Sequence, residues 1–402
     1  MKSMFYCGLK RSLMIGAIIF LGCLSVMGQR ADSCRWKIRS GIGVDARSSY
    51  VFSSFLDDIM SDMVNMEHAR YTRVSTSLHL KFGFTFSEES SLARSFPPSW
   101  QGIGTGLNFL GNPRGIGNPV SVYLFQGGPI WRLTDRLSVF YEWNFGASFG
   151  WRPCNPERAA SNLITGSRVN AYINLGAGLR WRLDKHFDLT AGLDLTHFSN
   201  GNTSFPNPGV NMAGVRIGVS RSFGREEPAR QSELDTIAGK KKPGYDVTLY
   251  GAWRRRVYRG GETPVLLNGK FGVCGIGFSP MWRVSETFRA GFSADFQWDE
   301  STDLKRNHIS GSTSDDIRFQ HPSFLRQVCA GLSGRAELVM PIFSVNVGMG
   351  YNIIGPEETR ATYQLANLKV RVGGGFFLNI GYQLLNFHKQ NNLMLGAGYS
   401  FR

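Results

Sequence analysis

The chain has 402 residues, a formal net charge of +15 from 45 Lys and Arg against 30 Asp and Glu, 13% aromatic residues and a mean hydropathy of −0.17. This composition excludes a disordered chain, a collagen and a cysteine-dense secreted miniprotein. Its 48 glycines, about 12% against a usual ~7%, favour a large all-β unit over two or three soluble domains.

Residues 1–28 read as an export signal. Lys2, Lys10 and Arg11 precede the apolar run Leu13–Leu24, and the small Gly28 stands before a cut at Gln29. The run is too short for a membrane span, and the imperfect Phe20-Leu21-Gly22 argues against lipid attachment at Cys23. The chain stays basic after cleavage and should favour anionic surfaces. No later stretch offers about 20 uninterrupted apolar residues.

Period-two alternation carries the membrane signal instead. Candidate strands in the first half lie near residues 36–45, 75–88, 101–110, 120–132, 136–150, 168–183, 186–199 and 210–223. In one of them Leu137, Val139, Tyr141, Trp143 and Phe145 share a face, with Ser138, Glu142 and Asn144 opposite; Ala171 to Trp181 repeats the pattern. A charged loop or linker follows over 225–244, marked by Arg225, Glu226, Glu227 and Lys240 to Lys242. Strands resume at Tyr245, and alternation returns at 288–298, 343–353 and 393–401.

These runs of about ten residues with aromatic ends favour a transmembrane barrel, because the strands of a soluble sandwich are usually nearer five or six. In lipid the sheet must close, since an open edge would leave backbone groups unpaired. The fold class is therefore all-β, an antiparallel transmembrane β-barrel. It is either one barrel of about 14–16 strands, the first choice, or two of about eight, with 29–224 and 245–402 as the halves. Both halves end alike, Val215 to Phe223 against Leu393 to Phe401, which points towards duplication.

Other motifs read as structural. Cys34, Cys154, Cys274 and Cys329 remain after signal removal and could pair in an oxidising compartment, but no spacing resembles a metal knuckle. Gly102, Gly104 and Gly106 lack a Walker lysine and a strand-to-helix context, so they are small barrel residues. Arg254, Arg255 and Arg256 read as a solvated loop with lipid phosphate as the alternative contact, and an exported barrel is not expected to meet nucleic acid. His68, His79, His186, His308, His321 and His388 lack a comparable partner set and read as loop, rim or packing residues.

One segment carries chemistry: Asp194-Leu-Thr-His197-Phe-Ser199-Asn200-Gly201, followed by an Asn-, Pro- and Gly-rich loop and a strand containing Asn211. His197 and Ser199 are two apart, so a strand projects them from one face, where imidazole can take the serine proton. Leu193 and Leu195 share that parity, so the pair should face lipid near the strand end. Asn211 falls on the apolar face of the returning strand, where its carbonyl can hold the other histidine nitrogen. The catalytic candidates are thus Ser199, His197 and Asn211, with Asn200 and the Gly201 backbone as oxyanion donors.

The segment resembles the lipid A 3-O-deacylase family, also labelled acyloxyacyl-hydrolase-like. There a His-x-Ser-Asn motif ends one strand and an acid twelve positions after the serine begins the next, in the last hairpin of an eight-stranded barrel. His197, Ser199 and Asn200 match, whereas Asn211 stands at the acid's position. The segment is also similar to outer-membrane phospholipase A, whose His-x-Ser-Asn-Gly and later asparagine match His197, Ser199, Asn200, Gly201 and Asn211.

The deacylase resemblance implies an outer-membrane serine esterase that removes an ester-linked acyl chain from lipid A. Its partner would be lipopolysaccharide in the outer leaflet, and it would need no cofactor. The phospholipase resemblance implies hydrolysis of phospholipids, with calcium as its cofactor. A non-enzymatic pore or scaffold is the alternative from a different class, suggested by the large second half.

Overall fold

The computed structural model describes residues 38–52, 74–86, 99–113, 115–154, 164–223, 243–258, 265–267, 269–285, 287–303, 322–387 and 389–401. The export signal, Cys34, linker residues 225–242 and His68, His308, His321 and His388 lie outside the described residues.

Eight strands form the first unit: β1 (Ile38–Phe52), β2 (Val74–Phe86), β3 (Trp100–Phe109), β4 (Val120–Arg132), β5 (Leu137–Phe149), β6 (Val169–Arg182), β7 (Phe187–Ser199) and β8 (Val210–Ser222). Each pairs antiparallel with the next and β8 closes on β1, from Gly41 opposite Ser222 to Phe52 opposite Asn211. A second closed barrel follows from β9 (Gly244–Arg254), β12 (Phe271–Arg283), β13 (Phe288–Asp299), β14 (Val328–Val339), β15 (Phe343–Ile354), β16 (Thr362–Gly373), β17 (Phe376–Leu385) and β18 (Lys389–Phe401). Between β9 and β12, the short strands β10 (Val257–Tyr258) and β11 (Val265–Leu266) make a separate hairpin.

The fold is thus the second of the two architectures that the sequence leaves open, and a single barrel of 14–16 strands is not formed. The physical reason is register: β8 returns to β1 and β18 returns to β9, so each sheet satisfies its own edges. The alike segments 215–223 and 393–401 lie in the closing strand of each barrel.

Inside and outside are inverted relative to a soluble protein. Leu78, Leu80, Phe82, Leu193, Leu195 and Val215 are exposed on the outer wall of the first barrel, while Asp45, Arg47, Lys81, Glu142, Asp194 and Arg216 are buried within it. Lys81 is held by Asp45 and by Glu142 at 2.6 Å, and Arg216 by Glu142 at 2.8 Å. In the second barrel Lys369 bridges Asp246 and Glu337 at 2.9 and 2.7 Å. An eight-stranded barrel has an interior that side chains can fill, and these networks occupy it. His79 is one of the packing residues, 2.9 Å from the Tyr123 hydroxyl; Gly104 leaves room for that tyrosine, since a Cβ there would stand 2.3 Å from its ring.

Short connections (133–136, 183–186, 340–342 and 374–375) lie at one end of the barrels. The loop 200–209 and the described stretches 110–113, 115–119, 150–154, 164–168, 255–258, 300–303, 322–327 and 355–361 lie at the other. Outer-membrane barrels turn briefly on the periplasmic side and extend their loops outward, so residues 200–209 belong to the outer face. Exposed aromatics ring both ends, with Trp131, Trp181 and Phe187 at the short-turn end and Phe52, Phe109 and Phe149 at the long-loop end.

The barrels touch through residues that would otherwise face lipid. Trp143 of β5 packs edge-on against Phe343 of β15 with ring centroids 5.7 Å apart, in a cluster that includes Leu124, Phe145, Met340 and Leu368. Cys154, Cys274 and Cys329 are free thiols. Arg254, expected in a solvated loop, is instead buried at the end of β9 because Asp299, Ser301 and Asn391 all bond its guanidinium.

Replacing Glu142 by Ala should leave Lys81 and Arg216 short of a counter-charge inside the barrel. We expect a loss of about 3–5 kcal/mol, read as a lower unfolding midpoint in detergent by circular dichroism.

Candidate active site

Parity along β7 is set by what the lumen accepts. Phe198 points inward and is almost fully buried, with its ring centroid 5.2 Å from that of Trp151 and 5.3 Å from that of Tyr172. These rings belong to an apolar cluster with Leu110, Ile116, Ile164, Val210 and Met212 that fills the long-loop end of the first barrel. Asp194 and Thr196 share the inward parity and are also buried. His197 and Ser199 must therefore project outward, above Leu193 and Leu195, whose relative exposures are 68% and 55%.

The β7–β8 register places His197 directly opposite Asn211. Their side chains meet, with Nδ1 2.7 Å from Asn211 Oδ1. An amide oxygen only accepts, so Nδ1 carries the hydrogen and donates it, and in the neutral ring Nε2 then holds the lone pair that can act as base. Ser199 ends β7 two residues on, and among the described residues no hydrogen bond yet joins it to His197. Such bonds often tighten only when substrate binds.

Gly209, which has φ of +77°, lies beside both groups. A Cβ there would stand 3.2 Å from His197 Cε1, 3.6 Å from Ser199 Cβ and 2.9 Å from the Phe198 carbonyl oxygen. Glycine thus keeps the space between imidazole and serine open and permits a left-handed turn into β8.

The two expected oxyanion donors behave differently. Asn200 is buried and directed into its own loop: its backbone N–H donates to Asn207 Oδ1 at 2.8 Å, and Nδ2 donates to the carbonyls of Ser204 and Pro206 at 3.1 and 3.3 Å. It braces the loop, and those donors are committed. Gly201 follows with φ of +63°, and among the described residues its N–H has no protein acceptor. Asn207 and Gly209 were not singled out by sequence reasoning; their only signal is the turn-forming composition of 200–209.

Among the described residues, the closing hairpin of the second barrel has no counterpart to this pair. Superposing the alike closing strands sets Lys389 at the position of Asn211, and Lys389 pairs with Leu385. Where β7 ends in His197-Phe-Ser199, β17 runs into Leu385-Asn-Phe387.

Residues 71–220 match the family model described as lipid A 3-O-deacylase (PagL), and residues 243–402 match the acyloxyacyl hydrolase C-terminal domain. Among solved structures, the outer membrane enzyme PagL aligns at 16% identity over 44% of this chain and 97% of its own, with a TM-score of 0.30. The siderophore receptor PirA from Acinetobacter baumannii aligns at 8% identity over 88% of this chain and 69% of its own, with a TM-score of 0.23. No curated protein matches the chain.

Substituting Asn211 by Ala frees the imidazole to rotate and to change tautomer. Ester turnover should fall by about 10²-fold with KM nearly constant, as measured by steady-state kinetics in mixed micelles. Gly209→Ala should also lower kcat, because the added methyl group presses on the His197 ring and the Phe198 carbonyl and sits at a left-handed φ of +77°.

Proposed function

With the first barrel a member of the lipid A 3-O-deacylase family and the second an acyloxyacyl hydrolase C-terminal domain, we propose that Ser199, His197 and Asn211 remove an ester-linked acyl chain from lipid A in the outer leaflet. The observation that carries this reading is the 2.7 Å contact between His197 Nδ1 and Asn211 Oδ1 on the lipid-facing wall, with Ser199 beside it at the strand end.

The reaction follows from that arrangement. His197 Nε2 takes the Ser199 proton as Oγ attacks the acyl carbonyl, and imidazolium returns a proton to the departing sugar hydroxyl. Water, deprotonated by the same nitrogen, then releases the fatty acid from the acyl-enzyme. The Gly201 N–H is the donor we assign to the oxyanion, since those of Asn200 are committed within the loop.

Location supports the substrate. The site sits where apolar Leu193 and Leu195 give way to a polar loop, which is the depth of an ester between sugar and acyl chain. An acyl chain can lie along the outer wall, so no deep pocket is required. Charged networks through both lumens weigh against the pore alternative. The reaction we propose uses no metal and cleaves the 3-O-linked chain.

Ser199→Ala should reduce release of hydroxyacyl chains from lipid A by about 10⁴-fold or more without altering the barrel's heat-dependent gel mobility. Products would be identified by mass spectrometry with phospholipid present. Retained release in this variant would refute the assignment, and calcium-dependent formation of lysophospholipid would move the protein to the phospholipase class. A chelator should leave lipid A turnover unchanged.

A further inference from the structure

The loop that follows Ser199 is held from two sides. From within, Asn200 and Asn207 brace it. From outside, the second barrel touches its tip: Asn202 Nδ2 donates to the Asn391 carbonyl at 3.3 Å, and the Arg255 backbone N–H donates to the Asn202 carbonyl at 3.3 Å. Gly201 lies against Leu393 on the outer wall of β18, where even a Cβ would come within 3.2–3.3 Å of that side chain. Gly201 and Asn202 are consecutive left-handed residues, with φ of +63° and +66°, so the contact falls on a tight turn.

Behind this contact the second barrel is rigidly built. Arg254 Nη1 donates to Asn391 Oδ1 at 2.7 Å and to its carbonyl at 3.0 Å. The same guanidinium donates to Ser301 Oγ at 3.0 Å and pairs with Asp299. One carbonyl, that of Asn391, thus receives both the buried arginine of the second barrel and the loop asparagine of the first. The chain of contacts runs from Asp299 through Arg254 and Asn391 to Asn202, and from there along two residues of backbone to Gly201 and Asn200.

We propose that the second barrel is a working part of the active site: through Arg254, Asn391 and Leu393 it fixes the Gly201–Asn202 turn, and so aims the Gly201 N–H at the ester oxygen beside Ser199. Asn202 is a positioning residue in this scheme. The proposal rests on the esterase reading of Ser199. It accounts for a second barrel whose closing hairpin has Leu385, Phe387 and Lys389 where the first has His197, Ser199 and Asn211, and it explains why Gly201 has no side chain. Misplacing an oxyanion donor weakens transition-state stabilisation while leaving ground-state lipid binding almost untouched.

The test uses the full chain in mixed micelles, with Asn202→Ala, Leu393→Ala, the double variant and Ser199→Ala compared side by side. Turnover of lipid A is measured together with the rate at which a fluorophosphonate probe labels Ser199 and with the heat-dependent gel mobility of the barrels. Asn202→Ala should lower kcat and the labelling rate by about 10-fold each, with KM within about twofold and barrel mobility unchanged. The double variant should lose less than the product of the single losses, because both substitutions release one contact. Unchanged kcat and labelling in Asn202→Ala and in the double variant, beside an inactive Ser199→Ala, would overturn the proposal and leave the esterase reading standing. Hydrolysis retained by Ser199→Ala would overturn that reading, and this proposal with it.

Discussion

Side-chain alternation along β7 is the constraint on which the rest depends. A strand offers two faces, and in this barrel one is a packed polar lumen and the other is lipid. Phe198 is committed to the lumen by Trp151 and Tyr172, so its neighbours His197 and Ser199 have only the outer wall available. A slip of one residue would send the imidazole and hydroxyl inward and place an aromatic ring in lipid. The geometry of the proposed triad is therefore a by-product of core packing, and the same packing fixes Asn211 opposite His197 across the β7–β8 ladder.

Closure adds the second requirement. Without water in the hydrocarbon layer, each sheet must satisfy its own edges. Eight strands are enough to do so twice, leaving lumens narrow enough to be filled by ion pairs. Lys81, Glu142 and Arg216 in one barrel and Asp246, Glu337 and Lys369 in the other are shielded from lipid by their own walls. Their mutual pairing offsets the cost of burial, and the outer wall stays apolar beside the β7–β8 hairpin, with Leu193, Leu195 and Val215 exposed.

Much of this was legible in the sequence because period two is a local property. Each strand of the first half lies within a few residues of its expected range, except β1, which runs on to Phe52. His197, Ser199 and Asn211 could be assigned to one face by counting. The features that escaped depend on distant partners. Arg254 reads as a solvated loop residue until Asp299 and Asn391, 45 and 137 residues away, are brought to it. Asn200 reads as an oxyanion donor until Asn207 and two loop carbonyls claim its hydrogens. The choice between one barrel and two was equally non-local, since the charged segment after β8 would look the same in either, and only strand pairing distinguishes them.

The covalent link between the barrels has a physical consequence of its own. Helices or barrels in a bilayer gain little from burying apolar surface against each other, because lipid tails are as apolar as the side chains they would replace. The contact of Trp143 with Phe343 and the polar contacts at the loop tip would thus be a weak basis for assembling separate chains. Joining them through the segment after β8 makes the encounter intramolecular, with an effective concentration on the order of millimolar. Weak contacts are then sufficient to keep the second barrel beside the β7–β8 hairpin. In the proposed reaction the small contact energy would let the loop it steadies yield as a bulky lipid enters, which a large and tightly packed interface would oppose.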